Sequence, residues 1–195
     1  MSEPSVSTSL TLLGRLCAPK DQTDRQDAWA WFFELYKPLF SVWAQRRGFQ
    51  HADRDNLIQI VMLQLLDALP HYSRKETGSF RGWLWRVLDN AATDFLRRRH
   101  NRSFLPIDEF DRAARPSEEA EWDEAEYRQF VVRRALEIVS REFAEQAVTA
   151  FTQHLVRGRP AAEVAAELGI PVGTVYSTCN RVLTRLRATI AGLTD

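Results

Sequence analysis

The chain has 195 residues, 45% of them hydrophobic and 27% charged, enough for one large core or two small ones, and two small domains are expected. No apolar run reaches the ~18 residues of a membrane-spanning helix, and the opening MSEPSVSTSLTLLGRL lacks the charged, apolar and small-residue succession of a secretory signal, so a cytoplasmic protein with no membrane association is expected. The net charge of zero conceals a segregation: residues 20–102 carry 14 basic and 10 acidic side chains, 103–127 carry 2 and 9, and 128–195 carry 9 and 6.

Residues 1–24 read as an N-terminal tail. The first strong helical stretch runs from Asp27 to Arg47, where Trp29, Phe32, Phe33, Tyr36, Leu39, Phe40 and Trp43 recur at three- and four-residue steps. Pro38 lies inside it and is expected to bend it. Gly48 stops it, and Asp53 is placed to cap a second helix that runs through Leu69 and ends at Pro70. That helix, with NLIQIVMLQLLDAL, is apolar around most of its circumference, so some of its surface should meet a partner or a second layer of helices.

A polar loop from His71 to Gly78 leads to Ser79, which caps a third helix from Phe80 to about Arg99. On that helix Phe80, Leu84, Val87, Ala91 and Phe95 share a core face, Trp83 lies at its border and Trp85 points away. Arg81, Arg86, Arg97, Arg98, Arg99 and Arg102 surround these rings. Aromatic rings beside arginines offer stacking platforms for unpaired bases and countercharge for a backbone. The competing reading is two core tryptophans and a solvated, dipole-favoured helix end.

Residues 103–120, with Pro106 and Pro116, form an acidic linker. Helical periodicity returns from about Glu121 through Phe130, Leu136 and Val139, then through Val148, Phe151 and Leu155 before Gly158. Arg159 to Leu193 reads as two helices separated by Gly169-Ile170-Pro171. No strand-like alternation appears, and the fold class is all-α: two small helical domains, 25–102 and 121–195, joined by the linker, the second containing a helix-turn-helix.

The helix-turn-helix reading rests on spacing. A small residue at Ala165 permits close helix crossing, Gly169 suits a left-handed turn residue, and Pro171 suits the first turn of the next helix. Val164, Leu168, Ile170 and Val175 make the apolar seam, continued by Cys179, Val182, Leu186 and Ile190. Thr174, Tyr176, Ser177, Asn180, Arg181, Thr184 and Arg185 fall on the opposite face, where a recognition helix meets base edges and phosphates. A helical hairpin with a solvated arginine face is the alternative. Cys179 reads as a small core hydrophobe, and neither it nor Cys17 suggests a disulfide or metal site.

These stretches together resemble the sigma-70 superfamily of RNA polymerase sigma factors, in its short extracytoplasmic-function group. The resemblance is carried first by Asp55, Leu57, Gln59 and Val61, by Gly78-Ser79-Phe80-Arg81 and Trp83-Leu84, and by Asn90, Asp94 and Leu96-Arg97-Arg98-Arg99. It is carried further along by Glu163, Ala165, Leu168-Gly169, Gly173-Thr174-Val175, Arg181 and Leu186-Arg187. Two motifs in the right order, joined by an acidic linker, are far more specific than either alone.

The resemblance implies a factor that docks on core RNA polymerase, at the clamp helices of its largest subunit, and directs it to promoters. Asp53, Asp55, Asn56, Gln59 and Met62 are the docking residues it implies. Arg81, Trp83, Trp85, Arg86, Asn90, Arg97, Arg98 and Arg99 are those implied for opening the minus-ten element. Thr174, Tyr176, Ser177, Asn180, Arg181, Thr184 and Arg185 would read the minus-thirty-five element.

Asn56 and Ile60 stand where the family often has acidic residues. Trp85, Tyr176 and Thr178 stand where basic ones are common, so base preference does not transfer. Partners so implied are core RNA polymerase and promoter DNA, with an anti-sigma or other regulatory protein as a further class. The alternative is a helix-turn-helix regulator that does not dock on polymerase. No enzymatic activity, catalytic residue, cofactor or metal is expected: His51, His71, His100 and His154 are scattered and fit no metal or triad spacing, and no phosphate-binding glycine loop occurs.

Overall fold

The computed structural model describes residues 11–102 and 123–194, the side chains of 100–102 excepted. The acidic linker, most of the N-terminal tail and the Arg102 side chain therefore lie outside the described residues. Secondary structure among the described residues is helical throughout, apart from one isolated bridge between Ala191 and Thr194.

Part of the expected tail is structural. Helix α1 (Leu12–Cys17) starts under a Thr11 cap, whose hydroxyl accepts from the Gly14 amide at 3.0 Å, and it buries Leu12 and Leu16. Helix α2 (Gln22–Arg46) starts ahead of Asp27 because Asp21 supplies a cap, accepting from the Asp24 amide at 2.8 Å. Its buried stripe of Phe32, Leu35, Tyr36, Leu39, Phe40 and Trp43 is the spine of the core.

Gly48, at φ +83°, turns the chain, and α3 (His51–Ala68) begins at once, with Gln50 in the N-cap position and no side-chain cap bond. Asp53 therefore does not cap this helix. It falls in the first turn, and its carboxylate pairs with Arg99. A short 3₁₀ turn (Leu69–His71) and a single turn, α4 (Arg74–Thr77), lead to α5 (Phe80–Arg102). Ser79 caps α5 as its sequence suggests, its hydroxyl accepting from the Gly82 amide at 3.1 Å.

After the linker come α6 (Glu124–Val139), capped by Asp123, and α7 (Glu145–Phe151), which continues into a π-type turn (Thr152–Val156). Helices α8 (Ala161–Leu168) and α9 (Val172–Ile190) complete the fold.

Packing does not divide at the linker. Tyr127, Val131, Ala135 and Val139 of α6, and Leu186 and Leu193 beyond it, join α1, α2, α3 and α5 in one core. A smaller core, of Phe151, Val164, Ala165, Val175, Cys179 and Val182, belongs to α7, α8 and α9. A buried relay fastens the halves: Tyr36 donates to the Tyr127 hydroxyl at 2.8 Å, and Tyr127 donates to the Leu193 carbonyl at 3.1 Å. Burial, and then the adjacent Tyr127, hold the Tyr36 phenol well above its usual pKa, so it stays a donor.

Pro38 adds a second fastening. Lacking an N–H, it leaves the Glu34 carbonyl one helical turn back without its normal donor. Arg134 Nε of α6 donates to that carbonyl at 3.4 Å, and the Glu34 carboxylate faces Arg134 at 3.8 Å and pairs with Arg141. The residue that weakens α2 locally thus makes the acceptor by which the C-terminal half grips it.

The turn between α8 and α9 depends on Gly169, at φ +65°. A Cβ there would meet nothing within 4 Å, so backbone strain alone decides the cost of substitution. Gly169→Ala should lower stability by about 1 to 2 kcal/mol. The check is a chemical denaturation midpoint, with Gly173→Ala, also in open space but at no positive φ, near neutral or stabilising.

Candidate nucleic-acid interface

Helix α3 turns Leu57, Ile58, Val61 and Leu65 inward. Asp55, Asn56, Gln59 and Leu63 follow at helical steps on its open side, and all are exposed. Leu63 is 63% exposed, an apolar residue on an otherwise polar stripe. Asp53 lies at the edge, held by Arg99, and Met62 is half-buried against the core. The apolar circumference of this helix is thus mostly absorbed by α2 and α5, and Leu63 is the part left exposed. It was not among the docking residues expected from sequence.

Helix α5 buries Phe80, Trp83, Leu84, Leu88, Ala91 and Ala92. Trp83 is therefore no border residue: it is 8% exposed, with its ring 5.0 Å from Tyr72 and 5.5 Å from Phe80. In this arrangement it offers no free face to a base. Trp85 does not point away into solvent either. It is half-buried, edge-on to Trp43 at 5.3 Å, and lines a shallow apolar groove with Leu39, Leu84, Leu88 and Tyr127, bordered by Arg81. Val87 and Phe95 are half-buried, Phe95 lying 5.7 Å from Phe49. The core face is rotated from the expected one because rings distant in sequence, Tyr36, Trp43 and Tyr72, pack on Phe80, Trp85 and Trp83, which the period of one helix cannot reveal.

Arg86, Asn90 and Arg97 form the open stripe of α5. Arg86 donates to the Thr77 carbonyl, Arg97 pairs with Asp94 at 3.0 Å, Arg99 is engaged by Asp53, and Arg98 is exposed. An ion pair also joins this helix to the end of α2, Arg47 to Asp89 at 2.9 Å, with the Arg47 side chain 1% and the Asp89 side chain 20% exposed. The Arg47 guanidinium also lies 5.8 Å from the Trp43 ring centroid.

Helix α9 buries Val175, Thr178, Cys179, Val182, Leu186 and Thr189. Burial raises the Cys179 thiol pKa, as suits an inert core residue. Thr174, Tyr176, Ser177, Asn180, Arg181 and Thr184 are all exposed, Tyr176 at 56%. Arg185 departs from this set. Its guanidinium pairs with Glu142 through two contacts of 2.7 Å and lies 5.4 Å from the Trp31 ring, so it clasps α2 and not the open face. Arg187, not among the expected reading residues, is exposed in the last turn.

Residues 32–102 match the family model of sigma-70 region 2. That stretch of the chain is similar to sigma-70 region 2. The matched stretch of region 2 runs from Phe32 in the middle of α2 to the end of α5, and so takes in the α3 stripe, the Arg47–Asp89 pair and the Trp85 groove except for Tyr127. Helices α6 to α9 lie outside it. No curated protein matches the chain. A sigma-70 region 2 carries a role in binding RNA polymerase and promoter DNA. No helix among the described residues is long and apolar enough to cross a membrane, and no group of three or more metal-ligating side chains occurs among them.

Proposed function

We propose that the chain is a sigma factor of the extracytoplasmic-function type, which binds core RNA polymerase and directs promoter-specific initiation without catalysing a reaction itself. The observation that carries this reading is the order of parts: a sigma-70 region 2, then an acidic segment, then a pair of helices whose glycine turn leaves a polar, arginine-bearing face open. The polymerase supplies the chemistry, and this chain supplies the choice of start site.

The α3 stripe of Asp55, Asn56, Gln59 and Leu63 is the docking face for the clamp helices of the largest subunit. Arg86, Asn90 and Arg97, beside the Trp85 groove, engage the minus-ten element. Thr174, Tyr176, Ser177, Asn180, Arg181 and Thr184 read the minus-thirty-five element as a recognition helix in the major groove. Arg98, Arg181 and Arg187 give phosphate contacts, which make affinity fall with salt.

The direct test is association of the purified chain with core RNA polymerase. A one-to-one complex is expected on size-exclusion chromatography, whereas a DNA-binding regulator of the helix-turn-helix kind would bind promoter DNA and leave polymerase alone. Within that complex, Trp85→Ala should weaken open-complex formation by about 1 to 3 kcal/mol, the stacking contribution of one base, and affect closed-complex binding less. Trp85→Phe, which keeps a ring against Trp43, should recover most of the loss; potassium permanganate footprinting of unpaired thymines reads both.

A further inference from the structure

His154 lies in the π-type turn before α8, and its ring stands edge-on to Tyr176 at 5.5 Å and 81°. Its Nδ1 is 2.7 Å from the Arg159 carbonyl, so that nitrogen carries the proton and the ring plane is fixed by the backbone of the following loop. Gly158, at φ +71°, makes the bend that brings this carbonyl back to the histidine. Tyr176 is 56% exposed on the open face of α9, and its ring meets the His154 ring there. Val172, 41% exposed, sits one helical turn before Tyr176. The two make an apolar pair among Thr174, Ser177 and Asn180.

In the major groove the one apolar group on a base edge is the C5-methyl of thymine, and apolar side chains contact it. We infer that Tyr176 and Val172 form a reader of thymine methyl groups, and that His154 is the positioning residue that holds the Tyr176 ring for it. This rests on α9 being the recognition helix. Arg157 and Arg159 flank His154 in the loop; Arg159 is 2.6 Å from Glu167 and 3.9 Å from Glu163, so its charge is met by α8 and not directed at the ring. His154 acts through Tyr176, by packing.

The experiment uses the complex of the full chain with core RNA polymerase, initiating on a promoter fragment, with each upstream thymine replaced in turn by uracil, which lacks only the methyl. At one or two positions within the minus-thirty-five element the replacement should lower initiation several-fold. Tyr176→Ala should lower it to the same level and abolish sensitivity to uracil. His154→Ala and His154→Gln should do likewise, the glutamine keeping an N–H for Arg159 but having no ring, while melting temperature and polymerase binding report that the fold is kept.

Indifference to uracil while upstream base-pair changes still matter would overturn the methyl reader and leave α9 as a base reader. Full uracil sensitivity in both His154 variants would overturn the positioning role. Insensitivity to every upstream base-pair change would remove the recognition-helix reading itself, and this inference with it.

Discussion

Asp89→Leu should be among the most destabilising single substitutions in the N-terminal half, costing about 3 to 5 kcal/mol, because it removes a carboxylate from beside a guanidinium buried to 1% exposure. Removing one member of a buried pair leaves a charge in a low-dielectric site, and that penalty exceeds what the pair itself contributes. The double variant Arg47→Met with Asp89→Leu should lose far less than the sum of the single losses, since it removes both charges and keeps apolar volume. Urea denaturation of the four proteins reads the cycle. Additive losses would mean that the two side chains do not act as a pair. The consequence for function is positional: this pair ties the end of α2 to the middle of α5, one residue from Asn90 and four from Trp85.

Leu63→Asp should leave the fold intact and lower affinity for core RNA polymerase on the order of 30-fold, about 2 kcal/mol. Leu63 is 63% exposed, so little folding energy depends on it, and substitutions at such sites usually stay within about 0.5 kcal/mol. A carboxylate placed where an apolar side chain must be desolvated against a partner is costly. Gln64→Asp, exposed on the same helix but about 100° round from Leu63, is the control and should bind nearly as the parent does. Unchanged affinity for Leu63→Asp, measured by fluorescence anisotropy of labelled protein, would move docking off this stripe.

Much of the fold is legible in the residues. Helix content follows from three- and four-residue apolar steps, the start of α5 from Ser79, and the turn before α9 from Gly169 between two apolar seams. The inward positions of α9 read true because that helix is amphipathic, with Val175, Cys179 and Val182 buried in the smaller core and Leu186 in the larger. The errors share one cause, contact with elements distant in sequence. The period of α5 puts Trp83 at the border of the core face and Trp85 outward, but Tyr72 covers the first and Trp43 the second. Arg185 looks like part of the reading face until Glu142 and Trp31 claim it.

Asp53 looks like a cap until the chain turns early at Gly48, and its carboxylate is left to Arg99. His154 gives no sequence signal, since its partners are a backbone carbonyl and a tyrosine from a later helix. Leu63 could have been found from sequence: NLIQIVMLQLLDAL holds more apolar residues than one buried stripe requires, and an apolar residue left outside that stripe is a candidate for contact with another molecule.

The measurement that bears most directly on the central claim is start-site mapping with a reconstituted complex. Core RNA polymerase from a matched source, with and without this chain, transcribes a library of genomic fragments, and the 5′ ends are sequenced. Discrete start sites that require the chain, and that share two upstream elements at a fixed spacing, are the predicted result. Start sites identical with and without it, despite tight DNA binding by the chain, would contradict the account and make the protein a regulator that does not choose where polymerase begins.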